Sequence, residues 1–96
     1  MISFIAEQRI KIGTRYSRNL RRLNKLPAII YGDNQKKSIP IFINNNDIKN
    51  IQFESNFYNN KISIKLDDYI YIVKIHAVQK HAFKLQLIHI DFLICS

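Results

Sequence analysis

The feature that most constrains the fold is a twenty-residue stretch bounded by the chain's two glycines, Gly13 and Gly32. It contains five of the fifteen lysines and arginines and no acidic residue. Ser17 can cap a helix, because its hydroxyl can accept a hydrogen bond from an amide of the first turn. The residues that follow are good helix formers up to Leu26, which Pro27 drives out of the α region. We therefore predict a helix that ends at Leu26.

The predicted helix has one cationic stripe and one apolar stripe. Its cations recur at i, i+3, i+4 and i+7, which places them on one face of a helix with 3.6 residues per turn. They are Arg18, Arg21, Arg22 and Lys25. The opposite side is formed by Tyr16, Leu20 and Leu23. Like charges at these spacings repel by roughly 0.2–0.5 kcal/mol per pair, so an all-positive face favours a polyanionic partner, with a solubilising surface as the alternative.

The other apolar residues recur with a period of two, which is typical of short strands. We predict strands over residues 1–9, 28–31, 38–43, 57–66, 69–78 and 85–94. A second helix is predicted over residues 44–50 with Asn46 as its cap, and Asp67 and Asp68 form a turn. Six short strands and two helices predict a mainly β (α+β) fold, a small closed six-stranded β-barrel, because closure leaves no sheet edge exposed.

The alternation also assigns a face to each strand. The apolar face of the strand over residues 69–78 is formed by Tyr71, Val73, Ile75 and Ala77. In the last strand, one side is formed by Ile88, Ile90 and Phe92, and the other by Leu87, His89 and Asp91. Pro40 lacks an amide hydrogen and therefore predicts a sheet edge or a bulge.

Length and charge limit the class of protein. Ninety-six residues allow one domain, which we expect to span residues 1–96. A net charge of +8 suits nucleic acid or an anionic membrane. The single cysteine, Cys95, cannot form an internal disulfide, which fits a reducing compartment. Without a membrane-length apolar run or a signal pattern, we expect a cytoplasmic protein that has no membrane partner and is monomeric when free.

Catalytic and metal sites are disfavoured by the spacing of their usual residues. His76, His81, His89 and Cys95 match no zinc pattern. Nothing supplies a nucleophile with a base and an orienting acid. His89 and Asp91 lie two apart on one strand and could act as the acid/base pair of a small ribonuclease, although such pairs are common by chance. We therefore expect no enzymatic activity, no metal and no cofactor.

Two separate motifs resemble one known family. Residues 17–32 read Ser-Arg-x-Leu-Arg-x-x-Asn-Lys-x-Pro-Ala-Ile-Ile-Tyr-Gly. This run is similar to the signature of the bacterial 5S-rRNA-binding protein of the large ribosomal subunit, the Ctc-related family in its short single-domain form. Val78-Gln79-Lys80-His81 and His89-Ile90-Asp91-Phe92 resemble the closing strands of that family. The resemblance covers essentially the whole chain.

The resemblance implies a non-enzymatic component of the large ribosomal subunit that binds an internal loop of 5S rRNA. In that family the strands lie against a loop whose irregular pairs widen the grooves, so that RNA shape is read. Carried over by position, the contact residues are Arg9, Ser17, Arg18, Arg21, Tyr31, Gln79, His89 and Asp91. Three further candidates, Arg15, His76 and Lys80, stand where the family has a glycine, a glutamine and an arginine. Arg15 is a candidate replacement for the charge of a lysine that is usual at Thr14.

The chemistry of these residues agrees with RNA binding. Arginines that face phosphates give affinity without sequence information, whereas Tyr, Gln, His and Asp side chains can address base edges and sugar hydroxyls. Two alternatives stay open besides the ribosomal role. A basic membrane-surface module is disfavoured because the barrel core needs the apolar residues of the basic helix. A small ribonuclease is the other.

Overall fold

Six strands close into a barrel in a computed structural model of the chain, which describes residues 2–8, 24–32, 38–49, 51–84 and 86–95. The strands are β1 (Ile2–Gln8), β2 (Lys25–Tyr31), β3 (Ser38–Asn44), β4 (Ile62–Leu66), β5 (Tyr69–Lys80) and β6 (Leu87–Ile94). Their order around the barrel is β1-β3-β2-β6-β5-β4, and the parallel pairing of β1 with β4 closes it. The predicted mainly β fold with a closed six-stranded barrel is confirmed. No helix of the described residues is long and apolar enough to cross a membrane.

The period of two in the sequence builds the core of this barrel. Phe4 and Ala6 point inward from β1, and Ala28 and Ile30 do so from β2. Alternate residues of a strand face opposite sides of the sheet, so the intervening positions face outward. Pro40 lies opposite Ile29 of β2 and outside the described pairing of β3 with β1. Proline has no amide hydrogen to donate, but no described hydrogen bond between β3 and β1 is lost at this position.

Two bulges interrupt the alternation in β5 and β6. Ile75 pairs with Phe92 and Ala77 with Asp91, so His76 is an extra residue on β5. The predicted face that joins Ala77 to Tyr71, Val73 and Ile75 is therefore wrong at Ala77. Because one inserted residue shifts the face of those that follow, Val78 packs on the core and Ala77 is exposed.

The second bulge lies on β6. Gln79 pairs with His89 and Lys80 with Leu87, which leaves Ile88 as the extra residue. Leu87, predicted on the same side as His89, is buried in the core instead. The prediction was wrong here because the inserted residue reverses the face at Leu87.

Two short helices and a 3₁₀ turn connect β3 to β4. They are α1 (Asn45–Ile48), the 3₁₀ turn Ile51–Phe53 and α2 (Ser55–Asn59). The prediction of Asn46 as the cap of the first of these was wrong. Asn44 is the cap: it has the extended backbone that a cap requires, and its side-chain oxygen accepts a hydrogen bond from the Asn46 amide at 3.0 Å.

The strand predicted over residues 57–66 was wrong in its first part, since Phe57 lies in α2. Phe57 is fully buried, and its ring meets the Phe4 ring edge to face with centroids 6.3 Å apart. The run before β4 is too short for a period of two to be distinguished from a helical period. The predicted turn at Asp67 and Asp68 is present between β4 and β5.

The start of β2 corrects the predicted end of the basic helix. Lys25 and Leu26 pair with Asn44 and Ile43 of β3 and are strand residues. Asn24 before them has φ 63°, a left-handed conformation that asparagine tolerates better than most residues. Leu26, the residue that Pro27 restricts, is thus in a strand, as its exclusion from the α region predicts. The rest of the predicted basic helix lies outside the described residues.

Candidate nucleic-acid interface

A groove of about 380 Å³ runs over the outer surface of three neighbouring strands, β2, β6 and β5. We call it the strand groove. It is lined by Ile29, Tyr31, Ala77, Val78, Gln79, His89 and Asp91. These residues come from distant parts of the sequence, and the barrel pairing brings them together.

Strand register explains why these side chains share one surface. Asp91 of β6 lies opposite Ile29 on β2 and opposite Ala77 on β5. Residues that are directly opposite each other on paired strands point to the same side of the sheet. Ala77 contributes only a methyl group, so the groove is open beside the Asp91 carboxylate.

The strand groove contains polar side chains from β5 and β6. Gln79 lies opposite His89, and the bulge at His76 is what directs Gln79 outward at this point. His89 Nδ1 lies 3.3 Å from Asp91 Oδ1, with exposed side-chain fractions of 24% and 27%. An imidazole that is held against a carboxylate has a restricted ring orientation.

The side chains in this groove are better suited to hydrogen bonds with bases and ribose than to holding phosphates. They are a phenol hydroxyl, a carboxamide, an imidazole and a carboxylate, all of which can hydrogen-bond to base edges or ribose hydroxyls. Among the described residues that line it there is no lysine or arginine. Within the described part of the chain, no three His, Cys, Asp or Glu side chains are grouped as metal ligands would be.

The structure brings together four of the eleven residues predicted to bind RNA: Tyr31, Gln79, His89 and Asp91. His76 is exposed but lines no part of this groove. Arg9, Arg15, Ser17, Arg18 and Arg21 lie outside the described residues. The sequence analysis did not identify Ile29 and Ala77, which form the apolar floor. Their position in the groove follows only from their pairing with Asp91, which no local sequence pattern predicts.

Lys80, the remaining predicted residue, lies in a different groove. We call this one the aromatic groove; it is lined by Phe53, Tyr58, Lys80, His81, Ala82, Phe83, Lys84 and Gln86. The Lys80 ammonium lies 5.9 Å from the centroid of the Tyr58 ring. Partial burial raises the pKa of the Tyr58 phenol, so this group stays neutral and polar up to strongly alkaline pH.

Comparison with known proteins finds one family over nearly the whole chain. Residues 5–92 match the model of the ribosomal L25p family. The large ribosomal subunit protein bL25 of Buchnera aphidicola from Acyrthosiphon pisum (strain Tuc7) is 41% identical over 93 residues, 97% of each chain. The bL25 protein of Photorhabdus laumondii is 41% identical over 93 residues, covering 97% of this chain and 98% of its own. That of Histophilus somni is 38% identical over 89 residues, 93% of each.

Proposed function

We propose, because the chain belongs to the ribosomal L25p family, that it is a structural component of the large ribosomal subunit and binds an internal loop of 5S rRNA there. The strand groove is the observation that carries this proposal. Four residues that the family resemblance assigns to RNA contact come from three different strands and line it together. The role is non-enzymatic, and its place is the cytoplasm.

The strand groove and the basic part of the chain between Arg9 and Arg21 make different contacts with the RNA. Tyr31, Gln79, His89 and Asp91 address bases and ribose, while Arg9, Arg15, Ser17, Arg18 and Arg21 hold phosphates. The strand groove is too short of cations to hold a polyanion by itself. An RNA helix widened by irregular pairs can place its base edges and 2′-hydroxyls against a folded surface of this kind.

Asp91 gives the sharpest test, because it concerns the sign of an effect. A carboxylate that merely lies near RNA repels it, so Asp91→Asn would tighten binding slightly. A carboxylate that accepts hydrogen bonds from base amino or imino groups is needed, and its loss leaves those donors unpaired. We expect Asp91→Asn to weaken binding to 5S rRNA by about 1–3 kcal/mol.

The measurement is an equilibrium titration of the full chain with 5S rRNA and with an unrelated RNA duplex at one salt concentration. Asp68→Asn is the matched control, because Asp68 is exposed in the turn between β4 and β5 and loses the same charge. It should leave 5S rRNA binding unchanged or slightly tighter. Equal effects of the two substitutions, or tighter binding by Asp91→Asn, would remove Asp91 from the interface.

The contact between His89 and Asp91 is the one observation that favours a second function, a small ribonuclease. The same titration separates the two. On our proposal the 5S rRNA recovered from the complex is full length. Cleavage that disappears in His89→Ala would replace the binding function with a catalytic one.

A further inference from the structure

Two phenylalanines of the aromatic groove stand in solvent. Phe83 is 94% exposed and Phe53 is 65% exposed. Single exposed apolar side chains are normal on a protein surface, but a group of them around one groove marks an interaction site. Tyr58 adds a third ring to the lining.

Both exposed rings are held in place by ordered backbone. Phe53 ends the 3₁₀ turn in which Ile51 packs against the core. The Phe83 amide donates a hydrogen bond to His81 Nδ1 at 3.1 Å, and the amide of His81 donates to the Gln86 carbonyl oxygen at 2.9 Å. The local backbone structure therefore places both rings at the surface.

The charge around the groove identifies the occupant. Lys80 and Lys84 line it, and none of its described lining residues carries a carboxylate. In a symmetric dimer through this surface, the lysines of one copy would face those of the other, which disfavours a second copy of the chain. Flat rings beside cations instead match an unpaired nucleotide, whose base stacks on the rings while its phosphates meet the ammonium groups.

We propose that the aromatic groove is a second RNA site, which binds an unpaired nucleotide of a single strand by stacking on Phe53 and Phe83, with Lys80 and Lys84 on the flanking phosphates. Its volume of about 250 Å³ lies below the roughly 300–1,000 Å³ of pockets for drug-sized ligands, which suits one flat base. Gln79 lines the strand groove and the next residue, Lys80, lines this one. RNA that crosses the end of β5 can therefore reach both.

The probe is a single-stranded oligoadenylate of about ten nucleotides with one central 2-aminopurine, within the usual site sizes for single-strand binders. The fluorescence of 2-aminopurine falls when the base stacks. We expect the full chain to quench it saturably. Phe83→Ala should weaken binding by about 5- to 150-fold, the range for loss of one stacking aromatic. Its exposure means that the fold should not change.

Three variants separate stacking from other effects. Phe83→Tyr keeps a ring and should retain binding, whereas Phe83→Leu keeps an apolar side chain and should lose as much as Phe83→Ala. Lys84→Gln should make the salt dependence shallower by about 0.7, the slope of one contact to a single strand. Ile70→Ala is the control, because Ile70 is also apolar and is 65% exposed but lies opposite Lys65 on another part of the barrel.

The outcomes also separate this proposal from the 5S rRNA function. Asp91→Asn should leave the affinity for the oligoadenylate unchanged. Failure of the oligoadenylate to be quenched, or equal quenching by wild type and Phe83→Ala, would overturn the second site and leave the Asp91 result standing. Self-association that Phe83→Ala abolishes, with no quenching, would overturn it in favour of contact between copies.

Discussion

Tyr31 lines the strand groove and is also part of the barrel wall, because it belongs to β2. It is half-buried at the end of β2, opposite Ser38 on β3 and Leu93 on β6. Tyr31 lines the strand groove, so its ring can pack against the barrel while its hydroxyl binds RNA. The two roles divide between ring and hydroxyl, so they can be tested separately.

We expect Tyr31→Phe to weaken 5S rRNA binding by roughly 0.5–1.5 kcal/mol, the usual worth of one hydrogen bond. The melting temperature should hardly change, because the ring and its packing stay. Titration of RNA and thermal unfolding of the same preparations provide the two numbers. A lower melting temperature with intact RNA binding would assign Tyr31 to the fold alone.

Single residues show where sequence reasoning holds and where it stops. Pro27 correctly predicts that Leu26 is not helical, because its ring restricts the residue before it. Lys25 is a strand residue as well, and it follows Asn24, whose side chain donates a hydrogen bond to Asn46 Oδ1 at 2.8 Å. Because that partner is 22 positions away, no local sequence pattern could have placed Lys25 in β2 instead of in the predicted helix.

At the scale of elements, the bulge at His76 decides what β5 presents. Val73 and Ile75 face the core, and the inserted His76 then allows Val78 to do so as well. Gln79 is thereby placed outside, opposite His89. The sequence does not reveal this shift because Ala77 and Val78 are both apolar, so either could take the inward position.

Deletion of His76 should remove the bulge and keep Gln79 opposite His89, because the residues on either side of His76 already pair with adjacent residues of β6. Because His76 is exposed and has no partner in the register of β6, we expect the unfolding free energy to change by no more than about 1 kcal/mol. Binding to 5S rRNA should be retained, because Gln79 stays in the strand groove. Denaturant unfolding and RNA titration measure the two effects.

The control for this deletion is His76→Ala, which keeps the extra residue and removes only the exposed ring. If His76 acts as a spacer, His76→Ala should stay within about 0.5 kcal/mol of wild type in stability. Unchanged RNA binding in His76→Ala would also remove its imidazole from the predicted contact residues. Loss of 5S rRNA binding in the deletion variant but not in His76→Ala would show that the pairing of β5 with β6 beyond the bulge depends on the extra residue.

At the scale of the whole molecule, non-local pairing builds the interface. The sequence predicts six strands and a closed barrel from local patterns. It does not predict their order, because the order depends on pairs such as β2 with β6, whose residues lie about sixty positions apart. The strand groove lies across that pair, so its complete lining could not have been derived before the fold was known.

The net charge of +8 predicts how the molecule finds RNA. Because the described lining of the strand groove has no lysine or arginine, salt-dependent affinity must come from cations elsewhere. The stretch between Gly13 and Gly32, with five cations and no acid, is the first candidate. Binding to 5S rRNA should therefore combine a salt-sensitive part from this stretch with a salt-insensitive part from the groove.

The logarithm of the affinity for 5S rRNA should fall linearly with the logarithm of the salt concentration. Arg18→Ala and Arg21→Ala should each weaken binding and reduce the steepness by about 0.7–0.9, the value for one phosphate contact. Lys65→Ala removes the same charge from an exposed position on β4, between Ile5 and Ile70 on the neighbouring strands, and should leave the slope unchanged. Asp91→Asn should lower affinity at every salt concentration without altering the slope. Slopes equal to wild type in both arginine variants would mean that this stretch does not contact the phosphates.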